Sequence, residues 1–150
     1  MIGRETKLIF PGLQNFYTQM GDIAFTLVRI IIGYILFMHG WAKVVGPGLS
    51  GEALDMSKHG LAPAMAFGFA AIFLETVGAV CIVLGLFTRF FAAALAIELF
   101  IAFVAVHFPA GFAARTGGFE YVLLLGIVMF AIAIRGGGPY SIDRLIGREL

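Results

Sequence analysis

Residues 23–45 read IAFTLVRIIIGYILFMHGWAKVV, an apolar run interrupted only by Arg29, His39 and Lys43. As a helix this run rises about 35 Å, enough to cross a hydrocarbon core of about 30 Å. A single span has to be helical, because lipid offers no partner for open backbone N–H and C=O groups. The run is followed by GPGLSG at 46–51, where the glycines and proline end the helix.

Three further windows of the same kind follow. They cover about residues 64–87 (AMAFGFAAIFLETVGAVCIVLGLF), 90–108 (FFAAALAIELFIAFVAVHF) and 118–134 (GFEYVLLLGIVMFAIAI). Thr88-Arg89 is so short a link that the second and third helices must be antiparallel neighbours. The 46–63 loop is long enough for a short interfacial helix, expected near 53–58. These readings predict an all-α membrane protein, a bundle of four transmembrane helices over residues 23–135. An N-terminal interfacial segment (1–22) precedes it and a tail (136–150) follows. Arg4, Lys7, Arg89, Arg135, Arg144 and Arg148 fall on one side, against Lys43, Lys58 and Arg115 on the other. The excess of basic residues assigns the first set, and with it both termini, to the cytoplasm.

Composition agrees. Of 150 residues, 61% are hydrophobic and 13% charged, and the mean hydropathy is +1.00. A soluble domain carries about a quarter of its residues as charge. The net charge of +1, with no basic arm, speaks against a nucleic-acid partner. Cys81 is the one cysteine and lies inside an apolar run, so no internal disulfide or paired-cysteine redox centre is expected. No cleavable signal is expected, since no small-residue cleavage site follows the first span. The chain reads as a multi-pass protein of the bacterial inner membrane.

The informative residues are ionisable groups within or at the edges of the spans. Each charge at mid-bilayer costs roughly 2.5–3.5 kcal/mol on insertion scales, so plain anchors avoid them. Measured from the cytoplasmic helix ends, Arg29 lies at ~9 Å, Glu98 at ~12 Å and Glu75 at ~18 Å. Glu120 (~22 Å), His39 (~24 Å), His107 (~26 Å) and Lys43 (~30 Å) form an outer layer. Arg29, His39 and Lys43 share one stripe of the first helix. Glu75, Gly78, Ile82 and Gly85 share one of the second, where the glycines would admit a close neighbour. Arg29 is expected to pair with Glu75 or Glu98, and charge balance leaves one of those two carboxyls protonated. The expected intramembrane site comprises Arg29, His39, Lys43, Glu75 and Glu120, with Glu98 and His107 as secondary candidates. No paired histidine spacing supports a metal site.

Several of these stretches resemble the DoxX family of small bacterial membrane proteins. They are Arg29 with HGWAK (39–43), FLETVG (73–78), LGLFTR (84–89) and GPYSID (138–143). The resemblance covers roughly residues 23–145. It implies an inner-membrane four-helix protein, linked in some members to a thiosulfate:quinone oxidoreductase and in others to oxidative-stress complexes. The expected function is therefore an accessory subunit of a membrane redox complex, contacting quinone or lipid and packed against other membrane subunits or further copies of itself. The chain shows no haem or flavin signature, so no intrinsic cofactor is expected. The alternative is a small transporter or proton-relay protein for an anion or weak acid.

Overall fold

A computed structural model describes residues 8–149. Among them every regular element is helical. Arg4 and Lys7, which enter the orientation count, lie outside the described residues.

Helix α1 spans Gln14–Val45, 32 residues and about 48 Å. It starts nine residues before the expected 23. The stretch 14–22 is too polar to read as part of an apolar span, yet it contains no proline; Pro11 stands before it and opens a short 3-10 turn. Thr18 and Thr26 return their hydroxyls to the carbonyls of Gln14 and Asp22. Neither threonine therefore interrupts the ladder.

Helix α2 covers Gly48–Lys58, five residues longer at its start than expected. It lies tightly on α3 (Ala64–Phe73), where a Cβ on Gly68 would come within 3.0 Å of the Ala53 backbone nitrogen. A π turn, Leu74–Gly78, joins α3 to α4 (Ala79–Leu84) without a break. The continuous rod ends at Gly85, in the left-handed conformation (φ 70°) that glycine tolerates, and not at residue 87. Helix α5 (Thr88–Ala102) runs back and continues through a second π turn to Ala110. Helix α6 is Glu120–Arg135, and α7 is a single short turn, Ile142–Ile146.

Three rods are long and apolar enough to cross a membrane: Pro11–Val45, Ala64–Leu84 and Thr88–Ala110. Helix α6 packs along α5, but its 16 residues rise only about 24 Å, short of a full span. The shared core is Leu36, Ala79, Ile82, Ala92, Leu95, Leu99, Leu125, Met129 and Ile132. Around it Leu27, Ile31, Phe69, Phe100, Ile127, Phe130 and Ile134 point outward and stay exposed. An apolar exterior this continuous is suited to lipid.

Two glycines of α1 seat it on the second rod. A Cβ on Gly33 would strike Val83, and one on Gly40 would come within 2.6 Å of the Glu75 backbone. Gly78 faces Phe91 of α5, which a Cβ there would meet at 3.1 Å, and a Cβ on Gly85 would strike the Arg29 guanidinium of α1. The glycines of the second rod thus admit close neighbours, as expected.

The C-terminal stretch is not a loose tail. Asp143 is buried and accepts from the backbone N–H groups of Phe87 and Thr88 and from the Thr88 hydroxyl. It thereby satisfies donors at the start of α5 that have no partner within the helix. Arg29, 1% exposed, donates to the carbonyls of Ile82, Val83 and Tyr140. Its expected pairing with Glu75 or Glu98 does not occur. The carbonyls at the C-terminal end of α4 carry partial negative charge and take the guanidinium instead.

Candidate functional site

The opposite end of the bundle, under α2, holds a second set of charges, with Glu52 and Glu75 buried and Lys43 half-buried. Lys43 Nζ sits 2.8 Å from Glu75 Oε2 and 3.3 Å from Glu52 Oε1. The π turn places Glu75 there, and Gly40 lets the two backbones come close enough for the pair to form. Such turns frequently occur at functional positions. Glu98, on α5, lines the same chamber as Glu75 and Lys43. Glu98 Oε2 is buried and has no hydrogen-bond donor.

These groups line a chamber of about 440 Å³, walled also by His39, Asp55, Met56, His107 and Tyr121. His39 and Tyr121 face each other across the gap between α1 and α6, ring centroids 6.0 Å apart. His107 Nδ1 donates to the Gly117 carbonyl at 2.7 Å, which leaves Nε2 of the neutral ring as an acceptor.

Of the residues expected at the site, Lys43, Glu75 and His39 meet here, joined by Glu98 and His107. Two do not. Arg29 lies fourteen residues before Lys43 on one unbroken helix, about 21 Å away along the axis. Glu120 does not line the chamber; its carboxylate accepts from the Ala114 N–H at 2.7 Å and holds the loop before α6. Glu52, Asp55, Met56 and Tyr121 were not expected. The first three lie at i, i+3 and i+4 of one helix, a spacing that puts them on a single face. That spacing was readable once a helix was placed at 48 and not at 53.

The chamber offers four carboxyls (Glu52, Asp55, Glu75, Glu98), one ammonium and two imidazoles. It suits a polar head group carrying both donors and acceptors. Among the described residues no three His, Cys, Asp or Glu side chains are grouped as a metal site.

The DoxX family profile matches residues 24–108, more than half the chain. This chain belongs to the DoxX family. The matched region contains the whole of α2 and the Lys43–Glu75–Glu98 cluster; α6 and the tail with GPYSID lie beyond it. The chain is similar to "Putative oxidoreductase CatD" of Bacillus subtilis, 34% identical over 111 residues, covering 74% of this chain and 79% of that protein. It is also similar to two uncharacterized proteins of Haemophilus influenzae. One is 28% identical, covering 77% of this chain and 85% of the relative. The other is 24% identical and covers 83% of each. No solved structure matches.

Proposed function

We propose that this DoxX protein is an inner-membrane accessory subunit of a redox complex and that its chamber seats the polar head of a quinone. The observation that carries this reading is Lys43, held between Glu75 and Glu52 in a polar chamber enclosed by helices whose outer faces are apolar. A lone anchor has no use for such a cluster, which insertion into lipid penalises. The name of the Bacillus relative supports a redox setting. With Cys81 as the single cysteine, electrons would come from a partner subunit, and this chain would bind and orient.

The reading includes four spans with both termini in the cytoplasm. Helix α6 would then cross a locally thinned bilayer, an adjustment short spans make at modest cost. The basic residues of the tail end support that orientation.

The test is purification in mild detergent, followed by identification of co-purifying proteins and extraction of bound quinone. Glu75→Gln is expected to lose the quinone and keep the partner. A wild-type preparation with neither quinone nor redox partner would overturn the proposal. A second reading, proton relay, rests on the carboxyls of Glu75 and Glu98, which line one chamber beside Lys43. Proton flux through liposomes holding the purified chain alone would favour it.

A further inference from the structure

The chamber has an apolar neighbour. A groove of about 320 Å³ runs between α3 and α5, lined mainly by side chains such as Phe67, Ala70, Ala94 and Ile101. Four residues, Met56, Glu98, Ala102 and Val106, line both the groove and the chamber. The wall between the two spaces is therefore only one side chain thick. On the groove side that wall presents one ionisable group, the carboxyl of Glu98.

We infer that this groove is the lateral entrance to the chamber, through which an amphipathic ligand arrives from the bilayer. Its head passes Glu98 into the chamber and its alkyl or isoprenoid tail stays in the groove. The inference rests on the quinone reading above and adds the route and the requirement for a tail.

Three observations carry it. The two spaces have complementary chemistry, one apolar and one polar, in the order an amphiphile needs. A buried carboxyl oxygen without a donor, Glu98 Oε2, lies at their junction. A polar atom taken out of water without a partner is costly, and a ligand donor arriving there removes that cost. Met56, the α2 residue in the wall, is unbranched and changes shape readily, so it can move aside without unpacking a rigid neighbour. The larger groove between α5 and α6, about 620 Å³, lacks these features. It meets the chamber only at Leu99 and Val122, both buried and apolar.

The test uses the full chain in nanodiscs and two probes: decyl-ubiquinone, and the same benzoquinone head without its tail. Ala94→Phe and Ala70→Leu each fill the groove from a different helix. Both variants are expected to weaken decyl-ubiquinone about tenfold, the equivalent of roughly two methylene contacts, and to leave the tailless head within about twofold. Unchanged affinity for the tailed probe in a folded variant overturns the entrance and leaves the chamber reading intact. Failure of the parent chain to bind either probe overturns both. A photoreactive group at the tail end of decyl-ubiquinone gives an answer from the parent chain alone, should the variants not fold. Crosslinks on α3 and the 94–101 stretch of α5 support the route. Crosslinks on α6, or on neither groove, overturn it.

Discussion

The two ends of the bundle both bury charge, and they use it differently. At the tail end Asp143 takes three hydrogen bonds and Arg29 gives three, all to groups of the chain itself. Arg29 Nε is left without a partner, but Arg29 does not line the chamber. Beneath α2 the arrangement differs. Lys43 is shared by two carboxylates, Glu98 Oε2 has no donor, and the whole cluster borders a cavity. Buried ionisable groups in a membrane protein are thus of two sorts. Those bonded to the chain itself and away from the chamber fasten helices, and those bordering the chamber are placed to meet a ligand. Arg29 and Lys43 sit on the same helix and fall on opposite sides of that division.

Substitutions can break this contrast or sharpen it. The largest effect is expected from Asp143→Ala, which strips the α5 start of its acceptor. A loss of about 3–5 kcal/mol is expected, seen as a marked fall in the unfolding temperature of the detergent-solubilised protein. An unchanged melt would show that the tail is not a fastening. Next is Gly40→Leu, whose side chain must displace the Glu75 backbone. It should cost about 1–3 kcal/mol and also abolish quinone retention, because Lys43 and Glu75 are driven apart. Retention of quinone would detach the chamber from the ligand.

Lys43→Met comes third. Alone it leaves Glu75 without its cation, and a loss of about 1–3 kcal/mol is expected. Combined with Glu75→Gln the loss should shrink, and a double-mutant cycle measures the coupling. An additive cycle would mean that the pair does not interact. The smallest stability effect is expected from Glu98→Gln, within about 0.5 kcal/mol of wild type, since that carboxyl secures little. Its effect should appear in ligand affinity instead. A large drop in stability would move Glu98 into the fastening class.

Much of this was legible in the chain. The cores of the second and third rods were marked by unbroken apolar windows, and Lys43, Glu75, Glu98 and the two histidines by being ionisable within such windows. The pairing was not legible. Depth along straight helices put Glu75 in an inner layer and Lys43 in an outer one. Side chains on a helix lean toward its N-terminus. Lys43 on α1 therefore leans back toward the tail end, and Glu75, on the antiparallel rod, leans toward α2. The two meet between the layers. Arg29 was misassigned for another reason. Its partners are the carbonyls of Ile82, Val83 and Tyr140, and every residue carries a carbonyl. No residue type signals such an acceptor. Glu52 escaped because it lies outside any apolar run, and only the placement of α2 brings it under Lys43.

The π turn at Leu74–Gly78 holds one residue more per turn than an α-helix would, so the rod is sensitive to counting as well as to chemistry. Deleting a single residue there would let the segment relax to α-helical winding with α4 kept close to its present phase, because five residues of π winding turn the chain about as far as four of α. The carbonyls of Ile82 and Val83 would stay on Arg29, while the widened turn that carries Glu75 would be lost. The fastened end is therefore insulated from a one-residue change in this turn, and the ligand end bears it.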